Sequence, residues 1–171
     1  MWDTLQFLLP AILVLITAYL LIDKMIKNEK EKYDFELRKQ NSPNITTLKL
    51  RAYERLMLLL ERITPHSMLL SRIGANMSVL ELQATLLDDI RKEFEHNCSQ
   101  QIYVSTELWQ TIVAAKDNTV QLINLSSAQY ESGEPASKLA TTIIQIYDTQ
   151  DETAIDAAKS MLKNEVSNIL K

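Results

Sequence analysis

The stretch ITTLKLRAYERLMLLLERI, residues 45–63, decides the fold. Leu48, Ala52, Leu56, Leu59, Leu60 and Ile63 recur every three or four residues, which puts them on one face of an α-helix. Leu50, Met57 and Leu58 widen that stripe nearly all the way round. A helix so apolar is buried on most sides and is expected at the centre of its domain. Thr64-Pro65 stops it, and Pro65 opens a short helical turn through Ile73. Arg51, Glu54, Arg55, Glu61 and Arg62 must then share a narrow exposed strip. They either form an ion-pair network within the fold or, through Arg51 and Arg55, a partner-binding face.

Composition points the same way. Two glycines and four prolines in 171 residues supply few turns for a sheet protein, so the chain is expected to be all-α. Toward the C-terminus, Gly74-Ala-Asn76 is a break, and Ser78-Val-Leu-Glu81 has the form of a capping box that starts the next helix. Its inner stripe is Leu80, Ala84, Leu87, Ile90 and Phe94, and it ends near Asn97. Residues 100–104 (QIYV with its leading Gln100) are β-prone, but no second strand is visible, so they read as an extended connector. Ser105 is a good N-cap for a helix over residues 106–130. Residues 132–135 (SGEP) read as a linker. Two shorter helices follow, over 136–147 and, after the cap Asp151, over 152–170. This C-terminal pair is expected to pack on the core, with a separate partner-seeking role as the alternative.

Toward the N-terminus lies LQFLLPAILVLITAYLLI, residues 5–22, with no charge from Leu5 through Pro10 to Ile22. At about 1.5 Å per residue it is roughly 27 Å long, close to the hydrocarbon thickness of a bilayer. Its twelve Leu, Ile, Val or Phe residues favour insertion by about 4–7 kcal/mol. It lacks the basic start and small-residue cleavage site of a signal peptide. Lys24, Lys27, Lys30, Lys32, Arg38 and Lys39 all follow the span, which places that side in the cytoplasm by the positive-inside rule.

Residues 23–40 then form a charged helical stalk with favourable pairs Asp23/Lys27 and Asp34/Arg38. Ile22, Ile26, Tyr33 and Leu37 lie loosely on one face. They either pair two copies as a short coiled coil or lean on the domain. Asn41-Ser42-Pro43-Asn44 is expected to break the helix. The resulting plan is an anchor (1–22), a stalk (23–43), a helical core domain (44–130) and a C-terminal helical pair (131–171). In short, an N-terminal transmembrane helix and charged stalk precede a small helical bundle.

Chemistry is sparse. A net charge of −4 leaves no basic surplus for nucleic acid, and a lone cysteine excludes a disulfide framework. Glu93 and His96 have the spacing of a metal-binding pair, but a carboxylate-bridged di-iron bundle needs two such motifs, and Ile63 precedes His66 where the second glutamate belongs. Cys98 lacks an orienting group and an oxyanion loop. No catalytic residue, cofactor or metal is implied. The polar segment 94–109, dense in Ser, Asn and Gln and flanked by aromatics, reads either as a recognition loop or as a braced joint. Gln100, Gln101, Tyr103 and Trp109 are its candidate partner-binding residues.

Residues 48–65 and 95–109 together resemble an uncharacterised bacterial family of small proteins with one N-terminal span, over residues 1 to about 125. The resemblance implies a helical cytoplasmic domain and carries over no catalytic motif. The leading expectation is a non-enzymatic adaptor, scaffold or small subunit of a complex in the bacterial inner membrane. It would be single-pass, with its N-terminus outside and its domain in the cytoplasm. Its partners are the lipid bilayer and an unidentified protein, with a homo-oligomer as a further possibility. The topology is also similar to that of the ATP synthase peripheral-stalk b subunit, a self-associating stator, although Pro43, Gly74 and Gly133–Pro135 interrupt the long helix that family needs. A membrane-tethered hydrolase using Glu93, His96 and Cys98 is the third class.

Overall fold

The computed structural model describes the backbone of residues 2–74 and 76–169, with side chains for all of these except 2–16, 18, 20, 31 and 33–44. The chain is all-α. In order come α1 (Trp2–Arg62), α2 (Pro65–Arg72), α3 (Val79–Asn97), a 3₁₀ turn (Cys98–Tyr103), α4 (Thr106–Ser127), α5 (Ala136–Asp148) and α6 (Ala154–Ile169). Its contacts divide into two units, Met1–Ile45 and Thr46–Lys171.

In the first unit the Asp23–Lys27 pair forms at 2.7 Å, and Ile22 and Ile26 are exposed. Tyr33 and Leu37 lie outside the described side chains, as do the Asp34/Arg38 pair, Leu5, Pro10 and most of the apolar run. Among the described residues no helix is long and apolar enough to cross a membrane. One expectation needs correction: the backbone stays helical through residues 41–44, because α1 continues to Arg62. Proline's fixed φ is itself helical. It forfeits one backbone hydrogen bond and crowds one carbonyl, a cost that the turns on either side absorb.

The second unit is built round the end of α1, where Ala52, Tyr53, Leu56, Leu59, Leu60 and Ile63 are all buried. Leu82, Leu86 and Ile90 of α3 join the same core, as do Leu108 and Ile112 of α4. So do Leu139 and Ile143 of α5 and Ile155, Ala158 and Leu162 of α6, which makes the C-terminal pair part of the bundle. Helix α4 packs against α3, α5 and α6, and α2 packs against α3 and α5. Near the end of α1 two charges reach across to neighbouring helices: Glu61 pairs with Lys159 at 2.9 Å and Arg62 with Glu93 at 3.2 Å.

Helix starts follow local chemistry. Ser78 and Glu81 form a reciprocal capping box, whose hydrogen bonds hold the Glu81 carboxyl below its usual range. The last helix starts two residues later than expected. Thr153, not Asp151, caps it: the Thr153 hydroxyl accepts from the Asp156 amide at 3.1 Å and donates to the Asp156 carboxylate at 2.6 Å. That bond lowers the Asp156 pKa. Asp151 has the right side chain, but Thr153 has the acid three residues on that completes the box. Helix α4 stops at Ser127, short of Tyr130, whose hydroxyl instead meets that of Thr142 at 2.6 Å.

The expected linker at 132–135 is not free. The Val79 amide donates to the Glu134 carbonyl at 2.8 Å, and the Ala136 amide donates to the Met77 carbonyl at 2.9 Å. Two connecting segments thereby satisfy each other's backbone groups.

Candidate functional site

The polar segment after α3 forms a corner whose frame is buried. Asn97, at the end of α3, is 3% exposed. Its amide donates to the Glu93 carbonyl at 2.8 Å and to the Glu93 carboxylate at 3.1 Å, closing the helix end from within. From α1, the Arg55 Nε donates to Asn97 Oδ1 at 3.3 Å, and its Nη2 reaches the His96 carbonyl at 3.4 Å. A cation at a helix C-terminus also complements the helix dipole.

Residues 98–103 then turn as a 3₁₀ helix, which corrects the expected extended connector. An extended strand needs a partner strand, and none is present among the described residues. The turn instead satisfies itself locally: Gln101 donates to the Cys98 carbonyl at 2.9 Å and Gln100 to the Ser99 hydroxyl at 3.2 Å. Short polar side chains favour such local bonds over regular ladders. Val104 is extended, and Ser105 caps α4 by accepting from the Leu108 amide at 3.1 Å.

Glu165 of α6 holds the far side of the corner. Its carboxylate accepts from the Ser105 amide at 2.9 Å, from the Ser105 hydroxyl at 3.0 Å and from the Tyr53 hydroxyl at 2.9 Å. Burial, and after it the neighbouring Glu165 carboxylate, raises the Tyr53 phenol above its ordinary value. Phe94 and Trp109 stack with ring centroids 5.4 Å apart, and the Lys116 ammonium lies 5.0 Å from the centre of the Phe94 ring.

The candidate residues therefore divide. Arg55 joins the corner as a brace. Trp109 and Tyr103 are half-buried, and Trp109 ties α4 to α3. Gln100 is buried, whereas Gln101 is exposed. Arg51 is exposed on α1 and makes no hydrogen bond or ion pair among the described residues. Sequence reasoning missed Ile102, which is 74% exposed in the turn. Its signal was a lone aliphatic residue in a polar run. The same reading missed Asn97 and Glu165 as the residues that hold the corner in place.

Chemically the corner is a braced, presented surface. The Glu93 carboxylate is engaged by both Arg62 and Asn97. Among the described residues no group of three or more His, Cys, Asp or Glu is placed to hold a metal ion. The displaced titrations elsewhere belong to caps and surface ion pairs. Asp88 is lowered by hydrogen bonds from Lys92 and Arg91, and the Glu134–Lys138 bond lowers the acid and raises the base.

No curated protein and no solved structure matches the chain. A family model does match, over residues 1–169, and so extends through the C-terminal pair. The chain belongs to that family, DUF7935, a family of unknown function.

Proposed function

We propose that the chain is a non-enzymatic, membrane-anchored adaptor that docks a partner protein on the 3₁₀ corner. The observation that carries the reading is Ile102, exposed on a turn held by Arg55 and Asn97 on one side and Glu165 on the other. An aliphatic side chain on a rigid support loses little freedom on binding, which is what an anchor residue for a partner's pocket requires. Support for the membrane anchor comes from the uncharged run 5–22 and the lysines behind it. The anchor belongs in a bacterial inner membrane, with the N-terminus outside and the helical domain in the cytoplasm.

Two experiments test this reading. Full-length protein purified in mild detergent should bring down a stoichiometric partner, and Ile102→Asp should reduce its recovery about tenfold or more without shifting the melting temperature. Recovery unchanged by that substitution would remove the corner from consideration. Separately, washing membranes with alkaline carbonate should leave the chain in the pellet, and its release into the supernatant would sink the anchor.

A stator-like, self-associating role is the second reading. It is favoured by the unbroken helical backbone from Trp2 to Arg62, which removes Pro43 as an objection. The breaks after α2 and before α5 remain.

A further inference from the structure

A second surface of the helical domain touches the corner's frame at Tyr53 but includes none of residues 98–105. Leu50, Tyr53, Glu54, Met57 and Leu58 of α1 and Leu162, Lys163 and Val166 of α6 line an open groove of about 630 Å³. Its lining is mainly aliphatic, and Leu58 is 52% exposed although its neighbours Leu56, Leu59 and Leu60 are buried. An unpartnered apolar face of this kind marks an interaction surface.

The charges of the groove indicate the occupant. One acid, Glu54, stands on the α1 wall, and one base, Lys163, stands on the α6 wall. Both are exposed, and neither makes an ion pair or hydrogen bond among the described residues. Of the charges nearby, Glu61 is engaged with Lys159 and Glu165 with Tyr53 and Ser105. Arg51, one turn before Glu54 on α1, is unpaired among the described residues but does not line the groove. A patch with an apolar middle, a free acid on one helix and a free base on the other complements itself under a two-fold axis. A two-fold axis running between the two walls sets the α1 wall of each chain against the α6 wall of the other. Glu54 then faces Lys163 of the second copy twice, and the aliphatic side chains meet between the two pairs. An isologous interface requires this self-complementarity.

We propose that a second copy of this chain occupies the groove, making a two-fold homodimer through α1 and α6 with Glu54 and Lys163 paired reciprocally. The corner at Ile102 lies outside the groove, so the dimer and the adaptor reading stand or fall separately.

The test is charge exchange, read as mass by light scattering on the full-length chain in non-ionic detergent, with the detergent's contribution subtracted. Wild type should be a dimer at micromolar concentration. Glu54→Lys and Lys163→Glu should each weaken it about tenfold or more, since each replaces two attractions by two repulsions. The double variant should return to within about threefold of wild type, because its pairs are restored with the signs exchanged. Circular dichroism of each variant checks that the fold is kept, and Ile102→Asp should leave the dimer intact. A wild type that is monomeric at about 100 µM would overturn the proposal. So would single variants that dimerise like wild type, or a double variant no better than the singles.

Discussion

Leu56→Ala should lower the stability of the helical domain by about 3 kcal/mol and its melting temperature by about 10 °C. Leu56 is 0% exposed at the middle of the buried stretch of α1. Leu59 and Leu60 beside it are buried to the same degree. Removing its branched end forfeits the transfer of those carbons from water. It also leaves a cavity that close-packed neighbours on several helices cannot collapse to fill. Urea unfolding followed by helical circular dichroism measures the change. Leu70→Ala is the control: that side chain is 86% exposed, and its loss should cost less than about 0.5 kcal/mol. A Leu56 variant as stable as the control would mean that the end of α1 is not the centre of the core.

Glu165→Ala should come next, at about 2–3 kcal/mol. The substitution removes one carboxylate that accepts from the Ser105 amide, the Ser105 hydroxyl and the Tyr53 hydroxyl. The Tyr53 side chain is 2% exposed, so its hydroxyl would be left buried without its acceptor. That penalty exceeds the net worth of the bond itself. In a double-mutant cycle with Tyr53→Phe the two losses should fall short of additivity by about 1 kcal/mol, because both remove the same bond. Full additivity would deny the coupling.

The same bond sets a pH dependence. Folding raises the Tyr53 pKa above its ordinary value of 10.0, so the folded state holds this proton more tightly than the unfolded chain does. Its contribution is fully present below about pH 10 and is lost as the pH climbs from there toward the folded value. Urea midpoints should therefore fall above about pH 10, and fall less steeply in Tyr53→Phe.

Capping was legible in the chain because it depends on near neighbours, and periodicity largely so. In α3, however, the buried stripe is Val79, Leu82, Leu86 and Ile90, whereas the expected Leu80 and Ala84 are exposed. The stripe from Ala52 to Ile63 identifies a buried helix from spacing alone, and it is buried as that spacing requires. Ser78 with Glu81, and Ser105 before the Thr106 helix, announce their helix starts from side chains three residues away. Competition between two local signals misplaced the α6 start, where Thr153 and Asp156 prevail over Asp151. At Pro43 the local signal was overridden, since a proline penalty of a few kcal/mol is a cost, not a prohibition.

The surfaces were less legible. The corner was visible as a polar segment, yet how far its candidate partner-binding residues are exposed was not. Tyr103 and Trp109 are half-buried and Gln100 is buried, because burial depends on what packs above them. Ile102 is the exposed large apolar residue of the turn. The groove was not visible at all, since Glu54 and Lys163 are more than a hundred positions apart and line one groove only because α1 and α6 come together in the fold.

By itself the sequence determined an all-α chain, the apolar helix at its centre and most of the helix starts, because each is written in residues a few positions apart. Only the tertiary structure decided that Glu165 pins α6 to Tyr53 and Ser105, and that residues 77–79 and 134–136 share backbone bonds. It likewise decided that the C-terminal pair shares the core. Those contacts join residues far apart along the chain, and packing selects them only once every helix has buried its stripe.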